Sequence, residues 1–331
     1  MAYVYKKIIS GKPYYYLRIS KRKGEKVITK DIAYLGGDLE KAKRATFKLE
    51  KYKSEIRRSY RRINLFFETE YYFNKVRRSK LKGDEFLNER LIEIEAIKMH
   101  FTDHFKVESI EDRNDIINNF AINFAYNTTS IEGNTISLKE VKNLLEEGQT
   151  PLNKTLREVY DIQNTEAVFI KFFDKKNKLS HKLIENIHKS LVENIDSRIG
   201  YRTKDIRVAN SHFDSTPGHY VRTDMTILLK WYEENKKILH PFVLASIFHH
   251  KFEKIHPFSD GNGRTGRMLV NMILLKNNYP PMIIYKKDRR MYLDALSSAD
   301  NINLTKTDVK YKTLINFMLD EMSASYWNLF L

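Results

Sequence analysis

The residues most able to do chemistry form one polar run between two apolar segments. The run extends from His256 to Arg267 with the sequence HPFSDGNGRTGR, and it contains one proline and three glycines. Residues 242–252 before it and 268–275 after it are apolar and are predicted to be helical. We therefore predict a loop over 256–267 that opens a helix near Arg264.

The segment Gly261-Asn262-Gly263 favours an anion site at the start of that helix. Its glycines allow successive backbone N–H groups to turn toward one point, and the helix dipole adds positive potential there. Arg264 and Arg267 are three residues apart, so both guanidinium groups can face the same anion. Because the arginine fork fits phosphate oxygens, the anion is predicted to be a phosphate group.

Asp260 and His256 add two further functions to this loop. A carboxylate beside a phosphate site is explained if it holds a divalent cation bound to the same phosphates. A neutral imidazole is the usual general base near pH 7. The spacing thus predicts a nucleotide phosphate, a magnesium ion and a base, but no P-loop, since no Gly-Lys-Ser/Thr follows. The alternative is an ordinary helix start with a solvated aspartate and two surface arginines.

The run resembles the signature of the Fic family, H-x-F-x-D/E-G-N-G-R-x-x-R, and matches every fixed position. The similarity covers about residues 110–300. Fic proteins mostly transfer AMP from ATP to a Ser, Thr or Tyr hydroxyl of a protein, so the resemblance implies a protein adenylyltransferase that uses Mg²⁺ and ATP. It assigns the catalytic base to His256 and the magnesium ligand to Asp260. The implied phosphate-binding residues are Gly261, Asn262, Gly263, Arg264 and Arg267.

Thr128, Glu132 and Gly133 match the family's inhibitory motif, Ser/Thr-x-x-x-Glu-Gly/Asn. They end a predicted helix over about residues 111–133, which the glycine terminates. The resemblance implies that Glu132 reaches Arg267 and keeps it from the γ-phosphate, since one arginine fork cannot fully engage two anions. In some relatives this glutamate positions a water that removes AMP from the target, so the direction of the reaction stays open.

Residues 201–222 interrupt the helical pattern. Alternating side chains over 201–208 and 216–221 predict a β-hairpin around a polar turn. In the family the corresponding flap clamps an extended segment of the target protein by main-chain pairing. The expected partner is thus a protein with an exposed hydroxyl, and the chain itself is a candidate target. The alternative is a connecting loop without function.

The family resemblance also suggests an adenine-binding wall on a helix that starts near Asp288. Tyr292 would contact the base on this wall. Related sequences often have an asparagine for the adenine edge where this chain has Asp300, which leaves the base selectivity open.

The composition is that of a soluble globular protein, with 42% hydrophobic and 30% charged residues in 331. The absence of cysteine excludes disulfides and a thiolate nucleophile. No apolar run approaches the roughly 18 residues of a membrane span, and the N-terminus lacks the apolar region of a signal peptide. We therefore expect a cytoplasmic protein.

The net charge of +16 is distributed unevenly along the chain. Residues 1–63 hold 19 Lys/Arg and 6 Asp/Glu, a difference of +13, and the remaining 268 residues contribute only +3. Such a basic segment attracts nucleic acid, anionic surfaces or acidic proteins. The chain could therefore be a nucleic-acid-associated regulator. A solubilising, lysine-rich face is the alternative.

The first hundred residues are predicted to form two elements outside the Fic similarity. Three β-forming segments separated by glycine-containing turns predict a basic three-stranded antiparallel region over 1–37. Apolar residues seven apart from Ala42 to Ile63 predict a helix over 39–63, with a matching helix around 87–97. We predict 38–105 to be a helical arm, either a spacer or a dimerisation element, which leaves a homodimer open.

The expected fold class is mainly α. A Fic-type helical bundle with a β-hairpin flap would occupy 106–331, preceded by the small basic β region and the helical arm.

Overall fold

A computed structural model of the chain describes residues 1–105, 108–172, 177–206 and 215–330. These residues divide into two compact units, 1–82 and 83–330. The division falls inside the segment 38–105, which the sequence predicted as a single helical arm. No helix among the described residues is long and apolar enough to cross a membrane.

The first unit begins with an antiparallel sheet of strand order β1-β2-β3. Its strands are β1 (Ala2–Ile9), β2 (Lys12–Lys23) and β3 (Lys26–Gly36). The predicted three-stranded sheet is thus confirmed. One face of the sheet supplies a core that includes Val4, Leu17 and Leu35.

Three helices cover that core: α1 (Leu39–Phe47), α2 (Lys53–Arg58) and α3 (Tyr60–Arg77). The predicted continuous helix over 39–63 is wrong, because α1 ends at Phe47 and a 3-10 turn at Glu50–Tyr52 separates it from α2. Ala42, Ile56 and Ile63 are buried in the same core as the sheet. Their seven-residue spacing therefore reflects packing onto the sheet and not onto a second long helix.

The second unit is helical. Its helices are α4 (Leu91–Phe105), α5 (Ile110–Ile131), α6 (Leu138–Glu147), α7 (Leu156–Phe172), α8 (His181–Leu191), α9 (Val221–Asn235), α10 (Pro241–Ile255), α11 (Asn262–Lys276), α12 (Arg289–Ser297) and α13 (Lys312–Leu329). The predicted second helix of the arm is α4, which packs against α13 within this unit.

Helices α10 and α11 form the centre of the second unit. They pack against each other, α10 also contacts α9 and α13, and α11 contacts α5, α7 and α8. Nearly every residue of α10 is buried, including the polar residues His249, His250 and Lys251. The connection between these two helices is therefore held on a rigid base.

The predicted β-hairpin over 201–222 differs from the structure. Residues 201–206 and 215–217 form no strand, and α9 already begins at Val221 after a 3-10 turn. The intervening residues 207–214 lie outside the described residues. The buried Arg202 side chain donates hydrogen bonds to the backbone oxygens of Lys204 at 2.9 Å and Thr216 at 2.5 Å. The Arg202 guanidinium, and not pairing between strands, therefore supplies the hydrogen-bond donors for these backbone carbonyls.

Candidate active site

The connection from α10 to α11 turns sharply at two residues with left-handed backbone conformation. His256 ends α10 with a φ of 52°, and its N–H donates to the Phe252 carbonyl at 3.0 Å. Gly261 precedes α11 with a φ of 76°. The predicted loop and helix start are confirmed, although α11 starts at Asn262, two residues before the predicted position. The first N–H groups of α11 have no partner within the helix.

The Asn262 side chain fixes the shape of this loop. Its Oδ1 accepts from the Phe258 N–H at 2.8 Å, and its Nδ2 donates to the Phe258 carbonyl at 2.9 Å. Both polar atoms of the side chain are thus bonded to the loop backbone, and Asn262 is only 3% exposed. Its backbone N–H lies in the first turn of α11 and is available for the predicted phosphate contact.

His188 of α8 supports the loop from below, a role that the sequence did not indicate. Its ring stacks on Phe258 with centroids 3.7 Å apart, and its Nε2 donates to the Asp260 carbonyl at 3.1 Å. Burial lowers the pKa of His188 to about 4, so the ring is neutral at physiological pH. The histidine therefore orients Asp260 without adding charge.

Two residues of α7, also not predicted, pair with the signature loop. Asp161 forms a buried ion pair with Arg264, and Arg157 pairs with the Asp260 carboxylate. Arg264 also lies 3.5 Å from Asp260. Burial raises the pKa of Asp161, although Arg264 acts in the opposite direction. The α7 carboxylate thereby fixes the direction of the Arg264 guanidinium.

The structure brings the predicted inhibitory residues onto Arg267. The Arg267 Nε donates to the Thr128 Oγ1 at 2.6 Å, and one terminal nitrogen donates to the Glu132 carboxylate at 2.6 Å. A Cβ on Gly263 would lie less than 3.0 Å from that carboxylate. Glu132 therefore occupies the space directly over the first turn of α11, where the anion was predicted.

His256 lies within the electrostatic reach of the same groups. Burial lowers the pKa of His256 and Arg202 lowers it further, while the Glu132 and Asp260 carboxylates raise it. The net shift favours the neutral imidazole, the form that accepts a proton. Its Nδ1 is buried without a hydrogen-bond partner.

Residues 178–274 match the model of the Fic/DOC family. The chain contains a Fic domain. Curated relatives include proteins named protein adenylyltransferase Fic from Culex quinquefasciatus, 32% identical over 189 residues, and from Aedes aegypti, 34% identical over 190 residues. Each alignment covers 54% of this chain and 37% of the relative, so the chain spans little more than a third of their length.

Solved structures share the fold. A Fic-domain-containing signaling protein from Bacteroides thetaiotaomicron superposes with a TM-score of 0.63 at 25% identity, over 70% of this chain and 94% of that chain. Fic-1 from Caenorhabditis elegans superposes with a TM-score of 0.61 at 22% identity, over 88% of this chain and 82% of that chain. The mainly α Fic-type fold predicted from the sequence is thus confirmed.

The two predicted nucleoside-binding residues each contact a histidine of α10. Tyr292 donates to or accepts from His249 Nε2 at 2.7 Å and is only 2% exposed, so little of its ring is free to contact a base. Asp300 instead pairs with His250 at 3.2 Å. The two residues thus contact adjacent histidines of α10, and their role in binding adenine stays a prediction.

Beneath Arg267 lies a further, largely buried acid, Glu253. The Glu253 Oε1 atom lies 3.8 Å from the His249 Nδ1 atom. Neither atom has a hydrogen-bond partner. Burial raises the pKa of Glu253 to about 8 and lowers that of His249 to about 3. Both side chains are therefore mainly uncharged at neutral pH. Glu253 thus does not compete as an anion with Glu132 for Arg267.

A cavity of about 480 Å³ opens beside the signature loop of the Fic domain. It is lined by Ser259 of the loop and by residues 198–206, which include Arg198 and Lys204. The segment that the sequence predicted as a target-binding flap thus begins at the wall of this cavity.

Proposed function

We propose that this Fic domain transfers AMP from ATP to a Ser, Thr or Tyr hydroxyl of a protein. One observation carries the proposal: the Glu132 carboxylate lies over the first turn of α11 and forms an ion pair with Arg267. A negative group held at a helix N-terminus beside an arginine marks an anion site that a phosphate can occupy. The names of the curated relatives support AMP as the transferred group.

The proposed chemistry uses the residues that converge on this helix start. The phosphates would lie against the backbone N–H groups of 262–264, and Arg264, fixed by Asp161, would compensate their charge. Neutral His256 would take the proton of the target hydroxyl. The hydroxyl oxygen then forms a bond to the α-phosphorus while the bond to the β-phosphate oxygen breaks, and pyrophosphate leaves. Positioning and charge stabilisation supply most of the rate.

Asp260 fits the role of a magnesium ligand in this scheme. Mg²⁺ is commonly held by one or two carboxylates together with substrate phosphates, so a single aspartate in the loop is sufficient. Its present partner Arg157 has a side chain that is 56% exposed and can move into solvent. The backbone of Asp260 stays fixed by His188. Bound Mg²⁺ would neutralise part of the phosphate charge.

We further propose that Glu132 restrains the reaction. Its carboxylate and a γ-phosphate would compete for Arg267 and for the space over Gly263. Because the Glu132 side chain is still 46% exposed, it can turn outward without unfolding α5. Withdrawal of this one side chain would therefore open the site.

The test is to incubate the Glu132→Gly protein with Mg-ATP and measure its mass and that of modified peptides. The account predicts an added adenylate on a hydroxyl side chain. ATP labelled on the α-phosphate should label the protein, whereas ATP labelled on the γ-phosphate should not. Labelling from the γ-phosphate alone, or no labelling, contradicts the proposal.

Removal of AMP from a modified protein is the second candidate. It is favoured by the half-exposed Glu132 carboxylate, which can hold a water molecule next to the phosphate site. Glu132→Gln would then stop the release of AMP from a purified AMP-modified substrate. Measuring both directions with the same variants separates the two candidates.

A further inference from the structure

All of the net charge of the chain resides in its first unit. Residues 1–82 contain 24 Lys/Arg and 8 Asp/Glu, a net charge of +16, whereas the rest of the chain contains 34 of each. A surface this basic, concentrated in about 80 residues, attracts polyanions.

The sheet of this unit has one buried face and one face that carries tyrosines. Tyr5 pairs directly with Tyr16 across β1 and β2, and Tyr16 pairs with Tyr34 across β2 and β3. These three residues form a row that crosses all three strands, here called the tyrosine row. Tyr5 is 36% exposed and Tyr34 is 58% exposed. Such large aromatic side chains in register on the outer face of a sheet do not serve its core, which lies on the other side.

Rings and cations alternate along this face. The Tyr16 and Tyr34 rings have centroids 5.3 Å apart, and Tyr14 lies 6.4 Å from Tyr34. The Arg18 guanidinium covers the Tyr5 ring, 3.7 Å from its centre, and also pairs with the Asp31 carboxylate. The exposed Lys7 pairs across the strands with Tyr14. The face thus offers flat π surfaces at the spacing of neighbouring strands, with positive charges beside them.

We propose that the tyrosine row binds single-stranded nucleic acid. Unpaired bases stack on the Tyr16 and Tyr34 rings while the phosphates lie near exposed lysines such as Lys7, a combination that binds single strands with little dependence on base sequence. An acidic protein would use the charges but would leave the rings without partners. A duplex keeps its bases stacked inside, so it could not use the rings either. This proposal is independent of AMP transfer by the Fic domain.

The test measures binding of fluorescently labelled single strands to the full chain by fluorescence anisotropy. The probes are oligodeoxythymidine and oligouridine of about 12 nucleotides, at about 50 mM salt. Binding of either oligomer is expected, with an affinity that falls as salt rises. Tyr34→Ala should weaken binding about tenfold, and Tyr34→Phe should retain it, since the ring is what stacks.

Tyr71→Ala is the matched control, because Tyr71 is an exposed tyrosine of the same unit that lies on α3 and not on the sheet. It should leave binding unchanged, and circular dichroism should show all variants folded. Three results would overturn the proposal: no binding at low salt, an equal loss in Tyr71→Ala, or duplex DNA bound as tightly as the single strand. Displacement of the oligomer by polyglutamate at equal charge would likewise assign the face to acidic proteins.

Discussion

Arg267 donates to the Glu132 carboxylate across 2.6 Å, and this carboxylate lies over Gly263 at the start of α11. One side chain of α5 therefore affects the proposed phosphate site in two ways. It engages the arginine that a phosphate would need, and it fills the space that the phosphate would take. Separate substitutions can test these two effects.

Thr128→Val tests the hold on Arg267 alone. The Thr128 Oγ1 accepts from the arginine Nε at 2.6 Å, and valine has nearly the same shape without the acceptor. Loss of this acceptor leaves the buried Arg267 Nε–H unpaired, which costs about 1–3 kcal/mol. The conformation in which Arg267 pairs with Glu132 is thereby destabilised. Self-labelling with α-labelled ATP should rise above wild type but stay below Glu132→Gly.

Thr129→Val is the control for that substitution. Thr129 is adjacent and also buried, but its hydroxyl donates to the Ala125 carbonyl within α5 at 2.7 Å. Labelling by Thr129→Val should equal that of the wild type. An equal rise in both variants would mean that general loosening of α5, and not release of Arg267, activates the site.

Gly263→Ala tests the space over α11. In the Glu132→Gly background the added methyl group would stand where the Glu132 carboxylate lies in the wild type. If a phosphate uses this space, crowding of about 1–3 kcal/mol should lower ATP affinity by about tenfold or more in calorimetric titration. Gly83→Ala, where a Cβ meets no neighbour, is the control and should leave affinity unchanged. Unaltered affinity in Gly263→Ala would place the phosphates elsewhere.

Asp161→Asn tests the ion pair that fixes Arg264. Arg264 is 3% exposed, so removing the charge of its partner leaves a buried cation poorly compensated. The free energy of unfolding in urea should fall by about 3 kcal/mol. Asp196→Asn removes a partner of the largely exposed Arg198 and should cost clearly less. Equal losses in both variants would show that Asp161 is not a buried support of the site.

The signature loop could be predicted from the sequence because its shape is encoded locally. A proline, the glycines at 261 and 263 and the return of apolar spacing after Arg267 fix where α10 ends and α11 starts. The small sheet could be predicted for a similar reason, since short alternating segments between turns have few other folds. Glu132 could be matched to Arg267 only through the family motif, as 135 residues separate them.

The supporting residues could not be predicted, because they act only through tertiary packing. Asp161, Arg157 and His188 stand in helices whose sequences are typical of any amphipathic segment. The continuous helix over 39–63 was predicted wrongly because heptad spacing shows that one face is buried but not what it packs against. Here that face packs against the sheet. Residues 201–206 alternate like a strand, but the Arg202 side chain bonds the surrounding carbonyls.

Glu253→Gln tests the buried acid beneath Arg267 through its pH dependence. The folded-state pKa of Glu253 is raised from 4.5 to about 8, so the folded protein keeps a proton that the unfolded chain releases. This contribution to stability is fully present below pH 4.5 and is lost as the pH rises to about 8. Because glutamine cannot titrate, the variant should gain unfolding free energy relative to wild type at about pH 9 compared with about pH 5.

Urea unfolding at both pH values provides the measurement for Glu253→Gln. The exposed Glu146→Gln is the control, and its difference from the wild type should be the same at both pH values. A difference between Glu253→Gln and wild type that does not change with pH would contradict a protonated, buried Glu253.

His256 provides the most direct test of AMP transfer. In the Glu132→Gly background, His256→Ala should lower the rate of adenylate incorporation from α-labelled ATP by about 10²–10⁴-fold, the usual contribution of a general base. The exposed His104 on α4 is the control, and its replacement by alanine should leave the rate unchanged. Undiminished incorporation by the folded His256→Ala protein would contradict the account.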